Sequence, residues 1–212
     1  MKVIFGGTFD PVHIGHLRMA TELVASLGVD CVDLMPCFQA VHKDSVSASA
    51  DARLEMLRLA TVDDAFLQVD DREVRRACPS YTIDAVREIR QEIVDQPLCV
   101  VMGTDAALGL NAWRSAELFS AQAHLVVVRR PGEVNKDINA LKQLVRQLGF
   151  EWTGSAESLH KQASGLALML TLTQLEVSST AIRESVRKNK SIRYLVMGAI
   201  EEYICDNGLY QE

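Results

Sequence analysis

The sequence lacks the cysteine spacing that metal centres and dithiol redox sites usually require. Its five cysteines are scattered and form no Cys-x-x-Cys pair. We therefore expect reduced thiols in the core or near the surface instead of metal ligands. The residues concerned are Cys31, Cys37, Cys78, Cys99 and Cys205.

Long apolar runs are also missing. No window approaches the roughly 20 apolar residues of a membrane-spanning helix. The N-terminus has no apolar segment behind basic residues, which a secretory signal would need. A cytoplasmic protein without a membrane partner is expected.

Positive charge is scarce. The chain has 22 Lys and Arg against 28 Asp and Glu, for a net charge of -6, whereas a general nucleic-acid surface is normally basic. We expect no nucleic-acid partner, so any anionic ligand must be met by local positive charge. The 212 residues, 48% of them hydrophobic, suffice for one domain with a substantial core.

Apolar runs typical of strands alternate with segments whose apolar residues recur at helical spacing. The runs predict strands ending near Phe5 and at 32–35, 66–69, 98–102 and 125–128, with a strand region at 166–175. The spacing predicts helices over 14–27, 51–62, 83–93 (after Pro79 and Ser80 as stop and cap), 116–122, 137–148, 179–186 and 192–205. On the second helix, Arg53 and Arg58 are expected to reach solvent.

This alternation predicts an α/β fold: a Rossmann-like, doubly wound, mostly parallel sheet with helices on both faces and a helical C-terminal segment. One domain is expected over 1–212, with 177–212 as its helical C-terminal part. Ligands of such sheets bind at the carboxyl ends of the strands. Polar segments follow the strands there, and the segment 37–48 is a candidate lid over the site.

The first 16 residues contain the main candidate site. After the first strand, Gly6-Gly7 permits a tight turn, and the next helix begins close to His13 and His16. Backbone N–H groups and a helix N-terminus together suit phosphate. The segment is not a P-loop, because it lacks Gly-Lys-Ser/Thr. Alone, the histidines could be a metal pair or simple helix caps instead of a catalytic pair, and Asp10 is expected to orient the loop through an Asx turn.

Two more segments offer phosphate or ribose contacts. Ser178, Ser179 and Thr180 open a helix, and Arg183 follows one turn inside it. Alone, this pattern is typical of ordinary capping. A strand also runs directly into Gly103-Thr104-Asp105, so a second strand end offers a glycine and a carboxylate.

Together these motifs resemble the nucleotidyltransferase superfamily. The stretch Gly6 to His16 is similar to its (T/H)xGH signature, and His13 to His16 also spells the HIGH motif of class I aminoacyl-tRNA synthetases. Residues 177–183 resemble the second superfamily motif, (I/V)SSTxIR. Further matches resemble bacterial nicotinate-nucleotide adenylyltransferases: Ser80-Tyr81-Thr82, Gly103-x-Asp105, Trp113, Arg130-Pro131-Gly132, and the terminal Tyr203-Ile204 and Leu209-Tyr210.

The resemblance implies transfer of AMP from ATP to nicotinate mononucleotide, with Mg²⁺ carried on the ATP. His13, His16 and Arg183 would be catalytic. The implied ATP-binding residues are Gly6, Gly7, Thr8, Phe9, Gly103, Asp105, Ser178, Ser179 and Thr180. The implied acceptor-binding residues are His42, Lys43, Tyr81, Thr82, Trp113 and Arg130, with Trp113 stacking on the pyridine ring.

The chain departs from this pattern in the acceptor region. The segment Gln39–Lys43 lacks the family's two prolines, and Arg114 follows Trp113 where an aromatic residue or histidine is usual. Nicotinamide mononucleotide and phosphopantetheine therefore stay open as acceptors. A non-catalytic nucleotide sensor is a more remote alternative, and a class I synthetase would need a longer chain and a KMSKS-type loop. A second copy of the chain is a further candidate partner.

Overall fold

The computed structural model describes residues 1–40, 46–129, 138–173 and 175–211. The strands among them are β1 (Lys2–Gly7), β2 (Val32–Pro36), β3 (Gln39–Ala40), β4 (Leu67–Val69), β5 (Pro79–Ser80), β6 (Leu98–Gly103), β7 (His124–Arg129), β8 (Glu151–Thr153) and β9 (Leu166–Thr171). Seven of them form one sheet in the order β4-β2-β1-β6-β7-β9-β8. All neighbours in this sheet run parallel, and β3 pairs with β5 separately.

Helices connect most of the strands. They are α1 (Ile14–Leu27), α2 (Ala50–Thr61), α3 (Arg72–Arg76), α4 (Thr82–Ile93), α5 (Thr104–Leu108), α6 (Phe119–Gln122), α7 (Ile138–Gln147), α8 (Ala156–Leu159), α9 (Ser179–Arg187) and α10 (Gly198–Asp206). Short 3₁₀ turns occupy Leu110–Ala112 and Ala116–Leu118. Within the described ranges, no helix is long and apolar enough to span a membrane.

Alternate residues of the central strands belong to two separate cores. Val3 and Phe5 of β1 join a core with residues of α1, α2 and α10, whereas Ile4 between them joins a core with residues of α4 and α7. Cys99 and Val100 of β6 divide in the same way. Since successive side chains of a strand point to opposite faces, helices cover both faces of the sheet. The predicted doubly wound α/β fold is confirmed.

The position of the site follows from the strand order. β1 and β6 are neighbours in the sheet. The strands β2 and β4 lie on the β1 side, and β7, β9 and β8 lie on the β6 side. A crevice opens at the carboxyl ends of the two strands where a sheet changes direction in this way. Gly7 ends β1 and Gly103 ends β6 at this point.

Local signals in the sequence predict several element boundaries correctly. Helix α1 spans the predicted residues and ends at Gly28, which adopts φ 61° and donates its N–H to the Val24 carbonyl. Helix α9 begins after Ser178, whose hydroxyl accepts the Ala181 N–H at 3.2 Å. The five cysteines are unpaired thiols, as expected.

Two predicted boundaries are wrong because residues far away in the sequence form hydrogen bonds with the segments concerned. Pro79 and Ser80 form β5 instead of a cap, and the Ser80 hydroxyl accepts the Phe38 N–H at 2.9 Å. The last helix begins at Gly198 and not at residue 192. In the segment before it, Tyr194 has φ 67°, which a helix does not allow, and the Leu195 carbonyl accepts the N–H of Ile14 at 3.0 Å.

Candidate functional site

A cleft of about 870 Å³ lies at the carboxyl ends of β1 and β6. Its walls come from the end of β1 and the following loop, the first turns of α1, the segment before α9, and the first turns of α9. The lining residues are Phe5, Gly6, Gly7, Thr8, Phe9, Asp10, His13, Gly15, His16, Met19, Gly103, Leu175, Glu176, Val177, Ser178, Ser179, Thr180, Ala181 and Arg183. The structure thus brings together both motifs, although more than 150 residues separate them in the sequence.

His13 and His16 lie stacked at the start of α1. Their ring centroids are 3.7 Å apart, and the ring planes differ by 23°. His13 is the N-cap residue, and its Nδ1 accepts the backbone N–H of His16 at 3.4 Å. A neutral imidazole that accepts at Nδ1 carries its proton on Nε2. This tautomer makes the outer nitrogen of His13 a hydrogen-bond donor.

Burial keeps His13 uncharged at neutral pH. Only 6% of the residue is exposed, and burial lowers the pKa of its imidazole to about 4, with a backbone hydrogen bond opposing the shift. A neutral donor beside a helix N-terminus suits an oxygen on which negative charge develops.

Phe9 fixes His16 from the other side. Its ring meets the His16 ring edge to face, with centroids 5.1 Å apart, and only 1% of the residue is exposed. Gly7 makes room for this ring, because a Cβ there would lie 2.9 Å from Phe9 Cζ. Phe9 itself has φ 49°, a value that few non-glycine residues adopt.

Helix α9 is joined to the loop after β1 by two hydrogen bonds. The Ser179 hydroxyl donates to the Pro11 carbonyl at 2.9 Å. The Arg183 guanidinium donates to the Asp10 carbonyl at 2.7 Å and to the Thr180 hydroxyl at 3.3 Å. The N-terminus of α9 and the cation one turn inside it therefore face the same cleft as the histidines.

Asp10 holds this loop through long-range contacts instead of a local Asx turn. Its carboxylate accepts the N–H groups of Ser47 at 2.8 Å and Ala48 at 3.1 Å. It also accepts the hydroxyl of Tyr210, at 2.7 Å. The sequence offered no local signal for these contacts, beyond the match at Leu209-Tyr210.

Arg53 is a structural residue that the sequence analysis missed. It was expected to reach solvent, but only 1% of it is exposed. Its guanidinium donates to the carbonyl oxygens of Thr8 at 2.8 Å, Cys37 at 2.7 Å and Phe38 at 2.9 Å. Because Phe38 in turn donates its N–H to Ser80, Arg53 connects the loop at the cleft with β5.

A second, smaller pocket of about 40 Å³ lies at the start of α4. It is lined by Ser80, Tyr81, Thr82, Ile83, Trp113, Arg114 and Phe119. Trp113 is packed edge to face against Phe119, with centroids 6.1 Å apart. Three of the predicted acceptor residues, Tyr81, Thr82 and Trp113, therefore share one pocket.

Charged groups surround the mouth of this pocket. The Arg114 guanidinium lies over the Tyr81 ring, 4.8 Å from its centroid, and 3.3 Å from the Asp84 carboxylate. Arg87 approaches the same carboxylate at 3.8 Å. Two guanidinium groups thus share one carboxylate, and in the described structure no side chain caps the first N–H groups of α4. These two guanidinium groups and one carboxylate together carry a net positive charge, although the chain is acidic overall.

The remaining predicted residues divide into two groups. Gly103 lines the large cleft, and Asp105 follows in the first turn of α5 without being one of the described lining residues. His42, Lys43 and Arg130 lie outside the residues that the structure describes, as do Pro131-Gly132 and residues 41–45 of the candidate lid.

Comparison with known proteins gives consistent matches over most of the chain. Residues 4–185 match the model of the cytidylyltransferase-like family. A protein of Marinobacter nauticus named probable nicotinate-nucleotide adenylyltransferase is 41% identical over 211 residues, which cover 99% of this chain and 96% of that protein. A protein of Methylococcus capsulatus with the same name is 38% identical, with 98% of each chain covered.

Solved structures share the fold at low sequence identity. Plasmodium falciparum nicotinic acid mononucleotide adenylyltransferase complexed with NaAD superimposes with a TM-score of 0.75 at 16% identity, covering 99% of this chain and 98% of that one. The same protein complexed with APC gives a TM-score of 0.70 at 14% identity, covering 98% and 96%. Both likenesses concern the fold.

Proposed function

This chain belongs to the nicotinate-nucleotide adenylyltransferase family, within the wider cytidylyltransferase-like family, and we propose that it transfers AMP from ATP to nicotinate mononucleotide. The products are the deamido dinucleotide and pyrophosphate. The single observation that carries the proposal is the large cleft, in which stacked His13 and His16 at the start of α1 face the start of α9.

Two helix N-termini in one cleft suit a polyphosphate. Each adds about half a positive charge and several N–H donors. Ser178, Ser179 and Thr180 would receive the β- and γ-phosphates, with Arg183 as a full positive charge. Gly6, Gly7, Thr8 and Phe9 would hold the α-phosphate, while Gly103 and Asp105 would serve the adenosine.

The reaction needs no nucleophile from the protein. An oxygen of the mononucleotide phosphate attacks the α-phosphorus of ATP and forms the new bond. The bond between the α-phosphorus and the oxygen that bridges to the β-phosphate breaks, and pyrophosphate leaves with the electron pair. The protein contributes alignment and charge stabilisation. The Nε2–H of His13 and the ring of His16 would donate to the oxygens on which charge builds up.

The small pocket at the start of α4 suits a flat acidic ring. Trp113 would stack on the pyridine, and backbone N–H donors near Tyr81 and Thr82 would meet its carboxylate. Arg114 and Arg87 together outweigh Asp84 in charge. A positive pocket mouth favours nicotinate over the neutral amide. The proposed contacts of His42, Lys43 and Arg130 with the acceptor phosphate stay predictions.

Mg²⁺ would enter with the triphosphate as part of the substrate. The side chains that line the cleft offer mostly imidazole, hydroxyl and guanidinium groups. Of the two carboxylates among the described lining residues, Asp10 already accepts hydrogen bonds, and Glu176 lies in the segment before α9. Mg²⁺ prefers hard oxygen ligands and is commonly held through substrate phosphates. The ion would neutralise charge on the phosphates while the protein orients them.

The proposal is tested by pyrophosphate release from ATP with a panel of acceptors. Nicotinate mononucleotide, nicotinamide mononucleotide and phosphopantetheine are compared at matched concentrations. We expect the highest kcat/KM with nicotinate mononucleotide and a product of the mass of the deamido dinucleotide. Preference for the amide or for phosphopantetheine would contradict the acceptor assignment. Absence of turnover with all three, while ATP still binds, would favour a nucleotide sensor.

A further inference from the structure

The last turn that the structure describes contacts the loop that lines the cleft. The Tyr210 hydroxyl donates to Asp10 Oδ1 at 2.7 Å. Only 7% of Tyr210 and 4% of Asp10 is exposed. Tyr210 has φ 64°, in the left-handed region that non-glycine residues adopt only when their surroundings hold them there.

Asp10 is the residue at which three segments meet. Its carboxylate accepts N–H groups from residues 47 and 48, and its carbonyl oxygen accepts from Arg183 of α9 at 2.7 Å. Three positions further along the chain stands His13. A displacement of Asp10 would therefore move the cation of the second motif and the histidines of the first motif together.

We propose that Tyr210 is a positioning residue for AMP transfer: its hydroxyl fixes the Asp10 carboxylate, so that Arg183 and His13 are held at the transferring phosphate. This inference rests on the proposed function and assigns to the C-terminal turn a part in the same site. Tyr210 acts through Asp10 and is not itself expected to touch substrate.

The position of Arg183 explains why the side chain that donates to the Asp10 carboxylate should be uncharged. The Nη1 atom of Arg183 lies 3.9 Å from Asp10 Oδ2, which is the edge of ion-pair distance. The Tyr210 hydroxyl donates to the other carboxylate oxygen, which also accepts the Ala48 N–H, and it adds no charge. Without that hydroxyl, among the described residues only the N–H groups of Ser47 and Ala48 hold the carboxylate. It then shifts towards Arg183, and the guanidinium closes on Asp10 instead of facing the phosphates.

The Tyr210 ring allows the hydroxyl to be tested by itself. It packs in the same core as Ile182 of α9 and Ile204 of α10, so Tyr210→Phe keeps the apolar contacts and removes only the donor. Burial raises the pKa of the Tyr210 phenol, and the nearby Asp10 charge raises it further. The phenol is therefore a proton donor at every working pH.

The test is steady-state kinetics of Tyr210→Phe with the acceptor that the wild-type enzyme turns over best. We expect kcat to fall roughly 10- to 100-fold, as for a small misplacement of groups around the transferring atom. The KM for ATP should rise by less than kcat falls, because Ser178 to Thr180 still hold the β- and γ-phosphates. Tyr194→Phe, at a residue that is 78% exposed, should behave as wild type.

A second variant separates positioning from general loss of stability. Ile204→Val trims the same core without removing a hydrogen bond and should keep the wild-type kcat at a temperature where all variants are folded. A Tyr210→Phe kcat within about twofold of wild type, or an equal fall in Ile204→Val, would overturn the inference. Since the best acceptor is used, an error in the nicotinate assignment would appear in the acceptor panel and not here.

Discussion

The imidazole rings of His13 and His16 stack with their centroids 3.7 Å apart. Two positive imidazolium rings at this distance would repel each other. The rings can stack at neutral pH because burial lowers the pKa of His13 to about 4, so that its imidazole is uncharged. In the proposed reaction, His13 therefore acts as a neutral imidazole whose Nε2–H is a donor.

The low pKa of His13 predicts a loss of stability in acid. The unfolded chain takes up this proton near pH 6.5 and the folded chain only near pH 4, so the unfolded state binds more protons between these values. The His13 contribution to the free energy of unfolding is fully present above about pH 6.5 and falls by roughly 3 kcal/mol as the pH drops to about 4. Denaturant unfolding is compared for the wild type and His13→Asn, which keeps an N-cap acceptor. The free energy of unfolding should fall more steeply with acid in the wild type, by roughly 3 kcal/mol between pH 6.5 and 4. Parallel curves would contradict it.

Gly7→Ala should impair turnover more than folding. The new Cβ would lie 2.9 Å from Phe9 Cζ, so the Phe9 ring must move and His16, which it supports, moves with it. We expect kcat to fall roughly 10-fold or more. Gly154→Ala is the matched control, because a Cβ there meets no heavy atom within 4 Å. Equal kcat values for the two variants would show that Phe9 does not set the position of His16.

Arg53→Met should strongly destabilise the protein. The carbonyl oxygens of Thr8, Cys37 and Phe38 would lose their donor in buried surroundings, and each costs about 1–3 kcal/mol when left unsatisfied. Arg58→Met on the same helix is the control. Its guanidinium is half exposed and pairs with Glu55 and Asp71, contacts typically worth less than about 1 kcal/mol each. Similar midpoints in urea for the two variants would be inconsistent with the role of Arg53.

Arg53 and Arg58 show what the sequence alone cannot predict. Both follow the same helical pattern, and both were expected to reach solvent. What buries Arg53 is a set of carbonyl oxygens from residues 8, 37, 38 and 48, which no spacing rule can place around it. The pairing of β3 with β5 and the contact between Asp10 and Tyr210 have the same origin in long-range contacts.

The signals that succeeded are local or strongly patterned. Gly28 at the end of α1 and Ser178 before α9 act within their own turns, and the apolar run of β6 predicts a fully buried strand. These signals are enough to predict the doubly wound sheet and to place the two motifs at one site. The short α3 and the edge strand β8 were missed, because few apolar residues mark them and tertiary contacts maintain them.

Arg114→Gln should weaken the preference for an acidic acceptor. It removes one of the two guanidinium groups that share Asp84 at the mouth of the small pocket. We expect the ratio of kcat/KM for nicotinate mononucleotide to that for nicotinamide mononucleotide to fall roughly 3- to 10-fold, the effect of a charge partly screened by solvent. Arg87 pairs with the same carboxylate but lies outside the pocket lining. Arg87→Gln should therefore change the ratio of kcat/KM values less than Arg114→Gln does. An unchanged ratio in Arg114→Gln would remove this residue from acceptor selection.

The central claim is that the cleft between α1 and α9 transfers AMP, and His16→Ala tests it most directly. Pyrophosphate release with ATP and nicotinate mononucleotide is measured together with ATP binding by calorimetry. Loss of a donor to the charge that develops on the α-phosphate should lower kcat by on the order of 10²-fold or more, while ATP still binds through Ser178 to Thr180 and Arg183. A variant that binds ATP and releases pyrophosphate at the wild-type rate would contradict the claim.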